Sequence, residues 1–525
     1  MYLSNKKFIK LAMVCLLFIV GACTDTVKGG ADNSSRLTLN DTSIIVGELA
    51  QGGKTESFLG VPFAQPPVGN LRWAPPQPLA KPGAVPQAND FAAACMQGDH
   101  IAKWYKNVAS GFGGDPDLIN HPKVSEDCLY LNIWRPAKMA ESTPLLPVIV
   151  YIHGGSNKGG WSYEPNYIGH NLASKGVIVV SIAYRLGVFG FFSHPTLEHS
   201  NFGLLDQVAA LQWVNENIVA LGGDSARITV MGESAGANNI DHLMTMPSSK
   251  GLFSRAIHQS GGSSLTNRSI RKAHLQLGEA LADFTVGDEV STPISEMRKL
   301  SADTILSAAN EVYENHYFDP VVDGMSVMEP IMNILKARKM HGVDLLIGSN
   351  DHEWLMYTDD NPDIDGWLKT EAPPLTADHL KALLKDETDN RRISDLLRTA
   401  KYYVCPSLVL AKETAKLGNK AWVYHFTRQR EGELAATMGA YHGAELPYIF
   451  DTHDDWLPTV EADHRLTNIM QTYWINFATT GNPNQLDLPV WPKYSEENPN
   501  TQSLGDVLFS SGHPSQKLCE FLAPS

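Results

Sequence analysis

One short segment of the sequence has the residue types and spacing of a catalytic serine. Residues 232–236 spell Gly-Glu-Ser-Ala-Gly; they follow the short strand-like run 227–232 and precede a segment compatible with a helix. The two glycines permit a tight turn that raises Ser234 out of a sheet and directs the amides of the next helix towards bound charge. Because a serine hydroxyl is a weak nucleophile, it needs a base, an acid that orients the base and donors for an oxyanion. We therefore predict that Ser234 is a nucleophile at a junction of strand, turn and helix.

The segments around this junction predict a parallel sheet. Residues 146–152 and 176–183 are short, continuous and β-branched, as expected for strands that are buried on both faces. Residues 203–220 carry apolar side chains at helical intervals. Strands that alternate with helices indicate an α/β fold with right-handed connections. Residues 268–310 and 365–400 are charged and rich in helix formers, and we expect them to be helical insertions that cover the active site.

Length and composition exclude several classes of protein. The chain has 525 residues, of which 43% are hydrophobic and 19% charged, so it is neither disordered throughout nor collagen-like nor a polytopic membrane protein. A formal net charge of −15 without a basic cluster makes nucleic acid an unsuitable partner. No repeat or linker composition occurs after residue 36, so we expect residues 37–525 to form one domain.

The first 22 residues have the features of a signal peptide. Three lysines precede the apolar run 11–20, which is too short to span a membrane, and small residues then lead to Cys23. This pattern is typical of a bacterial lipoprotein in which Cys23 carries the lipid anchor; an ordinary secretory signal is the alternative. Residues 23–36 are polar and turn-rich and are predicted to be a tether. Thr24 rather than an aspartate follows the cysteine, which favours the outer membrane over other parts of the envelope.

The remaining cysteines and one polar cluster do not indicate a metal or a cofactor. No CxxC motif occurs, and no cysteine has a histidine at the spacing of a zinc site. Four cysteines lie beyond the signal region: Cys95, Cys128, Cys405 and Cys519. In an oxidising compartment they allow three different disulfide pairings. We interpret a further polar group as a solvated turn before a helix rather than as a metal site: His453, Asp454, Asp455, Asp463 and His464.

Blocks of sequence along nearly the whole chain match one family. They are 58–62 (FLGVP), 71–73 (LRW), 125–133 (SEDCLYLNI), 153–155 (HGG), 184–187 (YRLG), 201–203 (NFG), 259–261 (QSG), 320–324 (PVVDG), 476–478 (NFA) after Trp474, and 481–484 (GNPN). With the Ser234 motif, they make the chain similar to the type-B carboxylesterases, the cholinesterase/carboxylesterase family of α/β-hydrolases. The resemblance implies an α/β-hydrolase fold with a large, mostly parallel central sheet flanked by helices.

The resemblance also implies a catalytic triad in the order serine, glutamate, histidine. His442, within the block YHGAELP, matches the general base of the family, and Glu353 matches the acid. Relatives usually have Asp-Glu-Gly where residues 352–354 of this chain are His-Glu-Trp. This departure keeps Asp351 as the alternative acid.

Three backbone amides match the oxyanion hole of the family, those of Gly155, Ser156 and Ala235. Ser156 replaces a glycine or alanine of the relatives, and this change keeps the amide donor. Glu233 and Ser260 match positions near the catalytic histidine, and simple structural hydrogen bonding is the alternative role for both.

The family further implies the disulfides Cys95–Cys128 and Cys405–Cys519. In cholinesterases, an aromatic residue ten positions before the second matching cysteine contacts choline, and this chain has Leu118 there. No aromatic residue is therefore evident for a cation–π contact, and choline esters are disfavoured.

The function implied is that of a secreted serine carboxylic-ester hydrolase, which acts on a small-molecule ester through an acyl-enzyme intermediate. A catalytically inactive cholinesterase-like binding protein is the alternative from a different class, and a peptidase or another acyl transferase that uses the same site is the third. The natural ester and the oligomeric state stay open at this point.

Overall fold

The computed structural model of the protein describes the following residues: 34–40, 43–79, 90–137, 139, 143–266 and 271–524. From Ser34 onwards they form one compact unit. The predicted signal peptide and Cys23 lie outside the described residues, as do residues 24–33 of the predicted tether. The last tether residues, 34–36, are part of the first strand instead, because their backbone pairs with the neighbouring strand.

Short apolar runs form the strands of two sheets. In chain order the strands are β1 (Ser34–Thr38), β2 (Ile44–Ala50), β3 (Thr55–Pro62), β4 (Ala94–Cys95), β5 (Val124–Ser125), β6 (Tyr130–Pro136), β7 (Leu146–Ile152), β8 (Ile178–Ile182), β9 (Gly223–Glu233), β10 (Arg255–Gln259), β11 (Asp344–Asn350), β12 (Ala421–Phe426), β13 (Asn500–Leu504) and β14 (Phe509–Gly512). Within the described residues, twelve of them form one sheet in the order β1-β2-β3-β6-β8-β7-β9-β10-β11-β12-β13-β14, and β4 pairs with β5.

The centre of the large sheet is parallel and its two ends are antiparallel. Strands β8, β7, β9, β10, β11, β12 and β13 are parallel neighbours, whereas β1, β2, β3 and β6 on one side and β14 on the other pair antiparallel. The prediction of a large, mostly parallel sheet is confirmed. Parallel strands end at the same edge, so the loops after β7, β9, β11 and β12 meet there.

Helices flank this sheet on both faces. In chain order they are α1 (His100–Gly111), α2 (His170–Ala173), α3 (Gly187–Gly190), α4 (Phe202–Asn217), α5 (Ala235–Leu243), α6 (Ser263–Thr266), α7 (Arg271–Val286), α8 (Pro293–Met297), α9 (Ala302–Val312), α10 (Ile331–Lys336), α11 (Ile364–Glu371), α12 (Pro374–Leu383), α13 (Asn390–Thr399), α14 (Cys405–Lys416), α15 (Ala435–Met438), α16 (Leu446–Phe450), α17 (Glu461–Thr480) and α18 (Gln516–Leu522). A π-helical turn, Ala400–Val404, joins α13 to α14. Among the described residues, no helix is both long and apolar enough to cross a membrane.

Alternate residues of each central strand enter two separate hydrophobic clusters. In β7, Val148 and Val150 belong to the cluster that contains side chains of α4, whereas Ile149 and Tyr151 belong to the cluster that contains side chains of α17. Because both faces are buried, apolar residues are favoured at successive positions of the strand, and this explains the continuous rather than alternating hydrophobic runs of the sequence.

The two predicted insertions are helical in the described residues. The first contributes α7, α8 and most of α9, and the second contributes most of α11 and the whole of α12 and α13. The structure contains both disulfides that the family resemblance implies, Cys95–Cys128 and Cys405–Cys519. The second joins the start of α14 to α18, and so ties the C-terminal helix to the body of the fold.

Removal of Cys405–Cys519 is expected to destabilise the protein more than removal of Cys95–Cys128. The partners are 114 and 33 residues apart, so the loss of loop-closure entropy assigns costs of about 5 and about 4 kcal/mol respectively. Guanidinium unfolding of the two double Cys→Ser variants, in oxidising buffer, measures both free energies. A larger loss for the shorter loop would contradict the entropic explanation.

Candidate active site

Ser234 lies between β9 and α5 in a backbone conformation that few residues adopt. Its φ and ψ angles are 55° and −123°, and its amide donates to the carbonyl of Gln259 at 2.9 Å. The neighbouring glycines are required because the backbone approaches closely: a Cβ on Gly236 would lie 2.1 Å from the carbonyl oxygen of Ile152, and a Cβ on Gly232 would lie 2.7 Å from the backbone of Gly236. The turn therefore stores strain in order to project the serine beyond the sheet.

His442 contacts a buried glutamate that arrives from a different loop. Its Nδ1 lies 2.6 Å from Oε2 of Glu353, whose side chain has no exposure to solvent. The other carboxylate oxygen of Glu353 accepts a hydrogen bond from the Asn350 amide at 2.7 Å. On the opposite side of the imidazole, Nε2 lies 3.2 Å from Oε1 of Glu233, the residue before Ser234. The imidazole is thus oriented with Nδ1 towards the acid and Nε2 towards the turn that carries the serine.

Asp351, the alternative acid, has other partners. Its carboxylate accepts from Arg392 of α13 at 3.0 Å and lies 3.2 Å from ring nitrogens of His352 and His425. Burial raises the pKa of Asp351, but the hydrogen bond from His425 and the charge of Arg392 outweigh it, so this pKa lies below its usual range. Asp351 therefore anchors helix α13 of the second insertion, and Glu353 is the acid in contact with the imidazole.

Hydrogen bonds hold the loop of the acid (residues 350–354) in register with the loop of the histidine (residues 440–443). The amide of His352 donates to the carbonyl of Ala440 at 3.1 Å, and the amide of Ala440 lies 3.2 Å from His352 Nδ1. The side chain of Asn350 donates to the carbonyl of Tyr441 at 2.7 Å. These bonds fix the distance between acid and base before any substrate enters.

Several buried carboxyl groups surround the imidazole. Burial raises the pKa of Glu233, although the charge of His442 opposes this effect. Glu445, held by Gln259 and Asn350, has its pKa raised to about 6 by burial and by the charge of Glu353. Burial lowers the pKa of His442, but the charge of Glu233 and the hydrogen bond with Glu353 outweigh it and raise this pKa above the ordinary range. The site therefore favours an imidazolium, the form that a general base acquires during reaction.

The loop after β7 contains a glycine-rich turn (residues 154–159, called the glycine turn below) that lies against Ser234. A Cβ on Gly154 would lie 3.0 Å from the Cβ of Ser234. Gly155 and Ser156 have φ angles of +91° and +57°, and the Gly155 carbonyl accepts from the amide of residue 159 at 3.0 Å. Among the described residues, the amides of Gly155, Ser156 and Ala235 have no protein acceptor. Free amides beside a projecting serine suit the stabilisation of an oxyanion.

Neighbouring loops hold the glycine turn in place. The hydroxyl of Tyr184 donates to the carbonyl of His153 at 2.9 Å, and the amide of Gly187 donates to the carbonyl of Asn157 at 2.6 Å. Asn239 of α5 donates to the side chain of Asn157 at 2.9 Å. The turn is therefore bound to the same helix that follows Ser234.

Of the two predicted neighbours of His442, Glu233 contacts the imidazole, whereas no contact between Ser260 and the imidazole is seen in the described residues. Ser260 has a φ of +51° after β10, and its amide donates to the carbonyl of Gly348 at 2.9 Å. Its buried hydroxyl has no hydrogen-bond partner among the described residues.

The aromatic residues beside the histidine were not found from the sequence. The ring of Tyr403, in the π-helical turn, lies 5.2 Å from the ring of His442. Trp104 of α1 donates to the hydroxyl of Tyr357 at 3.1 Å. Leu118, the position reached by counting back from Cys128, is 57% exposed. A sequence signal that could have identified Trp104 is its place on helix α1, between Cys95 and Cys128.

The polar cluster near α17 converges more than we expected. Ligand atoms of His453, Asp454 and His464 lie within 4.8 Å of one another. His453 and Asp463 are buried, so the interpretation as a solvated turn is wrong for these two residues. Arg430 donates to Nδ1 of His453 at 2.8 Å. Because a guanidinium beside the ring opposes a second cation, we assign no metal to the cluster. Asp463 is separate and pairs with Arg428 at 2.8 Å.

Known proteins resemble this chain over nearly its whole length. A sequence profile of the carboxylesterase family matches residues 43–521. Human cocaine esterase is 33% identical over 512 residues, which cover 90% of this chain and 88% of that protein. Para-nitrobenzyl esterase of Bacillus subtilis (strain 168) is 32% identical over 501 residues, 90% of this chain and 96% of that protein. A solved PNB esterase structure superposes with a TM-score of 0.80 at 29% identity, over 94% of this chain and 100% of the other.

Replacement of the two candidate acids is expected to have unequal effects. Glu353→Gln keeps the shape of the side chain but favours the wrong imidazole tautomer, and we expect kcat to fall by up to roughly 10⁴-fold. Asp351→Asn keeps most contacts of a side chain that does not touch the imidazole of His442, so kcat should fall by less than about tenfold. Steady-state kinetics with p-nitrophenyl butyrate measures both. Reversed phenotypes would assign the acid to Asp351.

Replacement of Glu233 is expected to move the acid limb of the pH profile. The carboxylate stabilises the imidazolium, so Glu233→Gln lowers the pKa of His442. Because the neutral imidazole is the active form, the acid limb of the kcat/KM profile should then shift to lower pH by roughly one unit. The control is Glu461→Gln, at a side chain that is 79% exposed at the start of α17. An unchanged limb in Glu233→Gln would show that this carboxylate does not act on the histidine.

Proposed function

Because the chain belongs to the carboxylesterase family and is a carboxylic ester hydrolase, we propose that it cleaves esters through an acyl-enzyme formed on Ser234. The observation that carries this proposal is the 2.6 Å contact between His442 and the buried Glu353, on the loops that meet the Ser234 turn. An acid and a base in this arrangement activate a serine hydroxyl.

The proposed reaction has two halves. In the first, His442 Nε2 takes the proton of Ser234 while Oγ attacks the ester carbonyl, and the negative oxygen is stabilised by the amides of Gly155, Ser156 and Ala235. The tetrahedral intermediate collapses, the carbon–oxygen bond of the ester breaks, and the imidazolium gives its proton to the leaving alcohol. In the second half, His442 activates a water molecule that releases the carboxylic acid and restores the serine. Glu353 keeps the proton of the imidazole on Nδ1, so Nε2 has a free lone pair in each half.

The alternatives from the sequence have less support. A catalytically inactive binding protein would be expected to have lost part of the triad, whereas Ser234, Glu353 and His442 are all present. Among the residues that the structure describes, no contact in the site favours a peptide or a second acyl acceptor over an ester and water.

Loss of the serine is expected to abolish acylation. Ser234→Ala should lower kcat for p-nitrophenyl butyrate by roughly 10⁴-fold or more, because nucleophile and base act as one unit. An organophosphate should add to one tryptic peptide of the wild type, the one that contains Ser234, and should not label the variant. Labelling of a different peptide would assign the nucleophile elsewhere.

We also propose that the protein is exported and held at the outer membrane by a lipid on Cys23. The basic, apolar and small residues of segment 1–23 support this proposal, and the two disulfides are compatible with an oxidising compartment.

A cysteine variant tests the lipid anchor. Cys23→Ser removes the thiol that would be acylated, so in a bacterial host the variant should leave the carbonate-washed membrane fraction and lack a radiolabelled fatty acid. Cys15→Ser is the matched control, since it changes a cysteine of the same segment that precedes the cleavage site. Equal membrane retention of the Cys23 variant would contradict lipidation.

A further inference from the structure

A cavity of about 230 Å³ lies against the glycine turn. Part of its wall is apolar and comes from Val188, Leu306 and Phe318. The turn itself contributes Lys158, and the first residue of α1, His100, lies nearby in the same wall. The cavity thus combines a surface for hydrocarbon with two nitrogen-bearing side chains close to the proposed oxyanion hole.

Lys158 is a half-buried cation without a counter-charge. Within the described residues, its ammonium has neither an ion pair nor a hydrogen-bond acceptor. The acidic residue of the described cavity wall, Asp99, pairs with Lys103 at 2.8 Å instead. In a protein with a net charge of −15, a cation that faces a cavity and lacks a partner suits the recognition of an anionic group.

Helix α1 indicates which portion of an ester the cavity receives. Its His100 lies at the glycine turn, where a Cβ on Gly159 would be 2.4 Å from the imidazole. One helical turn later, Trp104 lies at the histidine loop, where a Cβ on Gly443 would be 3.9 Å from the indole ring. Because His442 protonates the leaving alcohol, the alcohol portion lies on the Trp104 side. The acyl portion, whose carbonyl oxygen is held at the glycine turn, then extends along the His100 side and into the cavity.

We infer that the cavity binds an acyl chain that ends in a carboxylate, and that Lys158 recognises this carboxylate. The inference rests on the proposed function and names its substrate class, half-esters of linear dicarboxylic acids. The methylene groups of the chain contact the apolar wall, and the ammonium donates a charge-assisted hydrogen bond to the carboxylate.

His100 adds a neutral donor to this site. Partial burial lowers the pKa of His100, and the positive charge of Lys158 lowers it further. The lowered pKa favours the neutral imidazole, which offers one ring N–H to the same carboxylate.

The test compares two ethyl esters of equal length that differ in charge, monoethyl adipate and the ethyl ester of adipic acid monoamide. Both release ethanol, so an enzyme-coupled alcohol assay gives kcat/KM for each. The ratio of the two values cancels any general loss of activity in a variant. It is measured for the wild type, Lys158→Met, Lys158→Arg and Lys106→Met, the last being an exposed lysine of α1 outside the cavity wall.

The charged-to-neutral ratio should fall roughly tenfold in Lys158→Met, as expected for one charge-assisted hydrogen bond that is partly open to solvent. It should stay within about threefold of the wild type in Lys158→Arg and Lys106→Met, which keep the cationic contact. A ratio in Lys158→Met within about threefold of the wild type overturns the inference.

Two further measurements keep the test decisive. If Lys158→Met is inactive, the Kd of monoethyl adipate is compared between Ser234→Ala and Ser234→Ala with Lys158→Met, where the same tenfold loss is expected and an equal Kd overturns the inference. If the wild type hydrolyses neither ethyl ester nor p-nitrophenyl butyrate, the proposed function fails, and the inference fails with it. Hydrolysis of both esters with a ratio that Lys158 does not control leaves the proposed function intact and refutes the role of the lysine alone.

Discussion

The carboxyl group of Glu353 has no contact with solvent, and the cost of burying it is offset only if both oxygens have partners. One oxygen accepts from the amide of Asn350 and the other contacts the ring of His442. The side chain of Asn350 donates in turn to the carbonyl of Tyr441. Satisfying one buried acid therefore fixes the loop of the acid, the loop of the histidine and the orientation of the imidazole together.

Parallel pairing supplies the second constraint, because it places the ends of β7, β9, β11 and β12 at one edge of the sheet. The backbone there is so closely packed that a Cβ on Gly236 would lie only 2.1 Å from the carbonyl oxygen of Ile152, so only glycine fits at this position. This crowding brings the glycine turn within contact of Ser234. The same edge thus holds the proposed nucleophile, the free amides and the proposed base, which come from the loops after β7, β9 and β12.

Charge is unevenly distributed around this edge. Glu233 and Glu353 contact opposite sides of the His442 imidazole, and together with Glu445 they favour its protonated form. Lys158, in the glycine turn, is a cation in the wall of a cavity that is partly apolar. The carboxylates therefore act on the proposed base, whereas the lysine lies at the proposed acyl site, where it can discriminate between substrates.

Local sequence patterns were sufficient to predict the strands and the turn that position the proposed nucleophile. The strand–turn–helix junction at Ser234 and the continuous runs that became β7 and β8 depend on side-chain period and on glycine, which act over a few residues. Family blocks then identified Glu353 and His442 as candidates, and the same resemblance gave both disulfide pairs. The contact between Glu353 and His442 itself joins residues 89 positions apart, and no local pattern encodes such a distance.

Tertiary structure decided everything that depends on which distant segments meet. It assigned Asp351 to Arg392 of the second insertion, and it brought Trp104 rather than Leu118 to the histidine loop. It also buried His453 within a cluster that the sequence suggested was solvated, and it added residues 34–36 to the edge of the sheet. The sequence alone determined the kinds of element and the chemical groups available, because these follow from short-range sterics and hydrophobic periodicity. The partners of those groups were decided only by packing, because long-range contacts depend on how the whole chain fills the space around the sheet.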